Sequence, residues 1–359
     1  MIEISNENNN PLVRRGRVEY IDFLRVISTF AVVLLHIASQ NLRSIGVHSL
    51  SWHIFNIADA GTRWAVPVFV MISGALFLGR EQKIEKLYNK NIFRIFTCLI
   101  FWSAFYAVVA FLTDHKAAAA FKQFITGKTH LWFLFMIIGL YIIVPFLNKI
   151  VESKELTRYY LLIFFVVAVL LQQFIAIMPY FSTYLSSAFK TAFSNMKFNF
   201  ALGYSGYFIL GYYLKNTRIS RKAEKIIYFL GLFGMAATIL GTIAVSHSKG
   251  KTNTLLYTDF GLNVLLMAVA VFVFGKMRFS KIKLTDRSKA VIGKLSKYSF
   301  GIYLVHYFVM DMLKNCLHFT TLSFNAVLSV PVLFLLISGI SLLISAVINR
   351  IPFLNKYII

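Results

Sequence analysis

Asp22, Arg25, Thr29, His36 and Gln40 lie in or just past an apolar run from about Tyr20 to Ser39. On a helix turning about 100° per residue they share an arc of about 60°. Arg25 and His36, eleven residues apart, differ by only about 20° around that helix and by about 16 Å along it. One otherwise apolar helix thus carries a polar stripe almost from end to end. Ionisable groups at membrane depth are costly, so the stripe must face protein or water. A histidine there suits general-base work, and an arginine suits holding an anion. Each also has a plainer reading: Arg25 reaching the headgroups beside Asp22, and His36 satisfied by a neighbouring helix. Their common face points to a site.

Other runs add to it. In Ser299 to Met310, the residues Ser299, Tyr303 and His306 share a face at i, i+4 and i+7. The stretch Val66 to Leu78 contributes Pro67, Ser73 and Gly74, and the basic cluster Lys83, Lys86, Lys90 and Arg94 follows it. A fourth run begins with His130 and Trp132; the tryptophan reads as an interface-belt anchor. Such residues serve a transporter, as proton relay or substrate counter-charge. They equally serve a transferase, with a histidine base and cations for a phosphorylated donor. Composition and periodicity leave both open.

The elements that must position these residues are membrane helices. Of 359 residues 58% are hydrophobic and 14% charged, with mean hydropathy +0.69. A soluble chain carries about 25% charged residues, and the apolar runs have the length of about 20 residues that spans a hydrocarbon core. Ten helices are expected: Tyr20–Ser39, Thr62–Leu78, Ile92–Phe111, Leu131–Leu147, Tyr159–Met178, Phe200–Leu214, Ile226–Val245, Asp259–Phe274, Tyr298–Leu313 and Ala326–Ile348. The predicted fold is therefore an all-α polytopic bundle, with residues 1–19 and 349–359 as cytoplasmic segments around a membrane domain over 20–348. Arg14, Arg15 and Arg17 precede a first run too long for a cleavable signal, so that run is expected to stay as an anchor. The outer segments Asp114–His130 and Pro179–Asn199 are amphipathic, the second interleaving Phe181, Tyr184, Leu185, Phe189, Phe193 and Phe198 with polar residues; they suit the lipid interface.

The net charge of +23 is a topology signal, since no basic face or nucleic-acid motif accompanies it. With the amino terminus inside, 26 Lys or Arg fall on cytoplasmic segments and 10 on outer ones. That bias places both termini in the cytoplasm. Cys98 and Cys316 lack metal-ligand spacing, and no metal is expected.

Five stretches in order carry a resemblance: EYIDFLRVISTFAVVLLH (Glu19–His36), VPVFVMISGALFL (Val66–Leu78), HLWFLFMIIGLYIIVP (His130–Pro145), YFILGYYL (Tyr207–Leu214) and SFGIYLVH (Ser299–His306). Together they resemble the integral-membrane acyltransferase-3 family, in its short form without a fused esterase-like domain. The resemblance implies transfer of an acyl group, usually acetyl, from cytoplasmic acyl-CoA to a hydroxyl of an extracytoplasmic or lipid-linked glycan at the inner or plasma membrane. His36 matches the family's catalytic histidine and Arg25 its partnered arginine, with Asp22 beside them. Arg94 matches the second arginine of an Arg-x-x-Arg pair that contacts the donor. Asn91 stands at the first position, which makes Lys90 the nearest substitute. Lys86, Lys90 and Arg94 are thus the expected donor cations, and Ser73, Tyr303, His306 and His130 the expected substrate contacts. Whether His36 is a base or a transient acyl carrier stays open. The rival reading is an exporter or flippase of a glycan or acylated intermediate.

The charge bias makes a direct prediction. A cysteine placed at Lys289 is expected to resist an impermeant thiol reagent in intact cells and to react after lysis; labelling from outside would overturn the topology.

Overall fold

The computed structural model describes residues 18–80, 83–195 and 203–359; Phe198 lies outside these. Among the described residues the backbone forms helices and helical turns, with no strand. Eight helical stretches are long and apolar enough to cross a membrane. The protein is an all-α polytopic membrane bundle.

In chain order, α1 (Glu19–Ser39) is followed by α2 (Leu50–Ala60) and α3 (Ala65–Phe77). A short α4 (Ile84–Lys86) leads through a π-helical turn, Leu87–Ile92, into α5 (Phe93–Asp114). Then come α6 (Ala117–Thr126), α7 (Trp132–Ile142) and α8 (Val144–Glu152). Next, α9 (Lys154–Ile163) continues through a π-helical segment, Phe164–Leu171, into α10 (Gln172–Ile177), and α11 (Thr183–Asn195) follows. The chain ends with α12 (Tyr204–Asn216), α13 (Arg221–Lys249), α14 (Leu262–Met277), α15 (Asp286–Leu317), α16 (Ala326–Ile348) and α17 (Pro352–Tyr357).

Each expected run is helical where it is described. Two of them, α12 and α15, are not among the eight long apolar stretches. The described part of α12 has 13 residues, and the apolar stretch of α15 carries Ser299, Tyr303, His306, Asp311 and Lys314. The expected fourth run is broken after Ile142, because Pro145 enters α8 at its first turn and cannot continue the preceding hydrogen-bond ladder. The helix α2 is an addition. Its Asn56 and Asp59 interrupt the apolar run, yet both are buried, at 0% and 1% exposure.

Centrally, α1 touches α2, α3, α14, α15 and α16, so its polar stripe is covered by protein. The closest helix pair is α3 with α12. A Cβ on Gly74 would run into the Phe208 carbonyl, and one on Gly211 into that of Met71. Two reciprocal glycines thus let the backbones touch, the usual route to tight helix association in lipid. Residues 349–359, set apart in the sequence as a tail, fold back onto α5. Cys98 Sγ and Trp102 Nε1 donate to the Ile358 carbonyl at 3.2 and 3.0 Å, and the Arg94 guanidinium donates to the Ile359 main-chain oxygen.

Gly211→Leu is expected to separate α12 from α3, at a cost of about 1–3 kcal/mol or more. Gly139→Ala, where nothing lies within 4 Å of the added carbon, should leave stability equal or slightly raised. Thermal unfolding of the detergent-solubilised variants, followed by size-exclusion fluorescence, checks the pair; equal melting temperatures would remove the close-packing argument.

Candidate active site

The stripe on α1 finds its partner on α15. At one end Arg25 Nη1 donates to Ser296 Oγ at 3.1 Å, and Ser296 donates to Asp22 Oδ1 at 2.6 Å. Arg25 also lies 3.6 Å from Asp22. The serine lets a cation and an anion one turn apart share a bridge to the neighbouring helix. At the other end His36 Nδ1 and His306 Nε2 are 3.0 Å apart, with the rings stacked at 5.1 Å.

The partners fix the tautomers. His306 Nδ1 is 2.6 Å from the Tyr303 carbonyl, and a carbonyl only accepts, so this nitrogen carries the proton. Neutral His306 then has its lone pair on Nε2 and can only accept there. His36 Nδ1 must therefore be the donor, which leaves the lone pair of neutral His36 on Nε2. That is the orienting logic of a catalytic triad, with an imidazole in place of the carboxylate. His130 completes a three-histidine group: its Nε2 lies 3.3 Å from the Leu304 carbonyl, and its ring stacks on Tyr307 at 4.7 Å. Its Nδ1 is buried with no partner among the described residues. Tyr303 donates to the His130 carbonyl at 2.5 Å, tying the start of α7 to α15.

His36 opens onto a chamber of about 450 Å³ that Arg25, Arg63, Ser73, Arg94, His130, Trp132, Tyr141, Asp259 and Tyr303 also line. Six of the expected site residues are therefore brought together: His36, Arg25, Ser73, Arg94, His130 and Tyr303. His306 stands behind His36, and Asp22 acts through Ser296; neither lines the chamber. Lys86 and Lys90 lie elsewhere. With Arg80, Lys83, Asn91, Leu76 and Phe77 they border a second, basic cavity of about 570 Å³. One aromatic pair joins the two linings. Phe77 borders the basic cavity and Tyr141 the chamber, and their rings stack at 4.2 Å and 27°.

This separates Lys90 from Arg94, which the sequence reading took together. The π-helical turn over Leu87–Ile92 widens the helix where Lys90 and Asn91 sit, so regular spacing no longer sets their faces. Arg94, past that turn, faces the chamber and the Ile359 oxygen. Trp132, at 38% exposure, also lines the chamber and meets Tyr204 at 5.6 Å. Sequence reasoning missed Arg63, Asp259, Tyr141 and Phe77. The usable signal was Asp59 with Arg63 at i, i+4, divided between the segment before the expected second helix and the start of that helix. Among the described residues no three His, Cys, Asp or Glu are arranged to hold a metal ion.

The family model described as an acyltransferase domain, of the acyltransferase-3 type, matches residues 18–350. The chain belongs to that family and is a multi-pass membrane acyltransferase. No curated protein and no solved structure matches it.

The His36–His306 contact sharpens what substitutions should do. His36→Ala is expected to remove acyl transfer to below a few per cent at normal membrane level. His306→Ala should cost about 10²-fold in turnover through loss of the oriented base, and His306→Asn, whose amide oxygen can accept from Nδ1, should recover part of it. Wild-type turnover in His306→Ala would return His306 to a packing role.

Proposed function

We propose that the protein moves an acyl group, in the first instance acetyl, from acyl-CoA to a hydroxyl of an extracytoplasmic or lipid-linked glycan. The observation that carries this reading is the pairing of two unlike cavities. One is a basic cavity suited to a polyanion, and the other is a chamber holding an oriented histidine; the stacked rings of Phe77 and Tyr141 join their linings.

The donor fits this division. The phosphates of coenzyme A would lie among Arg80, Lys83, Lys86 and Lys90, on the side that the charge bias assigns to the cytoplasm. The thioester arm would pass Phe77 and Tyr141 into the chamber. The acceptor hydroxyl would enter at the end bounded by Trp132, Asp259 and His130. His36 Nε2 takes the hydroxyl proton as the oxygen adds to the thioester carbonyl carbon. The carbonyl π pair moves to oxygen, then returns as the C–S bond breaks. The departing thiolate takes the proton from His36, so ester and free coenzyme A leave with the base regenerated. The apolar lining excludes competing water and strengthens each charge inside. Arg25, held by Asp22 and Ser296, lies at the chamber end away from His36, where it would meet the polar part of the donor arm.

The test uses protein in nanodiscs with acetyl-CoA and acetyl-dephospho-CoA, which lacks the 3′-phosphate. Lys86→Ala and Lys90→Ala are each expected to raise the KM for acetyl-CoA. A charge-assisted contact of about 1.5–3 kcal/mol corresponds to roughly 10- to 150-fold. If either lysine meets the 3′-phosphate, its variant loses the preference for the phosphorylated donor. Arg94→Ala should act on turnover or stability instead, because Arg94 faces the chamber and the Ile359 oxygen. An exporter would leave acetyl-CoA unconsumed.

A further inference from the structure

Three arginines line the chamber: Arg25, Arg63 and Arg94. Arg25 is bridged to α15, and Arg94 is bound to the Ile359 main-chain oxygen. Arg63 stands at the other end and lines the chamber together with His36 and Asp259.

Its setting is elaborate for one side chain. The guanidinium is ion-paired to Asp59, one turn earlier in the chain and 1% exposed. Its Cζ sits 4.2 Å from the centroid of the Tyr257 ring. The Tyr257 hydroxyl donates to Asn56 Oδ1 at 2.5 Å, and Asn56 Nδ2 donates to the Ile239 carbonyl at 3.2 Å. Residues from α2, α13 and the turn before α14 thus converge to hold a single guanidinium still. A buried ion pair is a poor device for stability, since desolvation offsets most of its attraction. Moreover, Arg63 Nε is buried and, among the described residues, donates to nothing. A buried donor without a partner is a cost, and such groups call for an explanation.

Acyl transfer supplies one. When the acceptor oxygen adds to the thioester, a full negative charge develops on the former carbonyl oxygen beside His36. Donors already fixed in place, in a site shielded from water, stabilise that charge without reorganising. We propose that Arg63 is a catalytic residue whose guanidinium stabilises the oxyanion of the tetrahedral intermediate. It keeps its own protons throughout: the new C–O bond, the departing C–S bond and the proton on His36 are as written above. The inference rests on the transfer reading and adds the partner that His36, as a base, cannot itself provide.

The test measures free thiol released from acetyl-CoA in native membrane vesicles, where the acceptor is present. Arg63→Gln alone would strand a buried Asp59 carboxylate, so the principal variant is Asp59→Asn/Arg63→Gln, which removes both charges. It should reach the membrane at normal level and melt near the wild type. Its turnover should fall about 10²–10³-fold with the KM for acetyl-CoA unchanged. In Asp59→Asn/Arg63→Ala, added guanidinium should restore part of the turnover, and urea, of similar shape but neutral, should not. Turnover of the principal variant within about threefold of wild type, far short of the loss of an oxyanion donor, overturns the proposal. Equal rescue by urea overturns it too. Absence of His36-dependent thiol release from the wild type would overturn the transfer reading itself, a separate outcome.

Discussion

The seam between α1 and α15 is the constraint around which the bundle is arranged. In lipid there is no water to satisfy a polar side chain, so a helix with a polar stripe needs a neighbour with a matching one. Asp22, Arg25 and His36 on α1 meet Ser296 and His306 on α15. The residues that make α15 polar are the ones that cover α1, and neither helix can face lipid on that side. Once the two are fixed face to face, α3 and α7 close the chamber beside them. The seam is held by a cation, a serine and a carboxylate at its Ser296 end and by two histidines at its His306 end, and one register sets both.

The two cavities divide the electrostatic work. Four cationic side chains border the basic cavity, which accommodates a ligand of several negative charges. The chamber is mostly apolar, with charges placed singly and each anchored: Arg25 by Asp22, Arg63 by Asp59, Arg94 by the folded-back carboxyl-terminal segment. An apolar enclosure with a few fixed polar groups is the usual form of a small-molecule site. Here it also holds a histidine whose tautomer is dictated by its neighbours.

How much of this was legible depends on the kind of interaction. Apolar runs mark membrane helices, and α16 falls on its expected bounds, Ala326–Ile348, because no charged residue interrupts it. Helical periodicity also placed Arg25 and His36 on one face and His306 on another helix, but periodicity says nothing about which helices meet. The His36–His306 contact therefore needed the fold. Where polar residues are buried, hydropathy misleads. Asn56 and Asp59 made α2 look like a loop, which hid the Asp59 partner of Arg63. Where the helix itself is irregular, spacing misleads: the π-helical turn before α5 sent Lys90 and Arg94 to different cavities. That Trp132 lines the chamber also needed the fold, because an anchor at the lipid surface and a wall residue of a chamber share one composition.

The glycine contacts between α3 and α12 have a mechanical consequence. With carbonyl against Cα at two reciprocal points, these helices have no side-chain layer between them to slide on, and they behave as one plank. That plank carries Phe77, which lines the basic cavity and stacks on Tyr141 of the chamber, and Tyr204, whose hydroxyl holds the Asp259 carboxylate at 2.5 Å. A tilt of α3 would therefore shift both mouths of the chamber together, like the two ends of a rocker. The other ring of that stack, Tyr141, sits on α7 one residue before the break that Pro145 imposes, so independent motion of the stack has its pivot there.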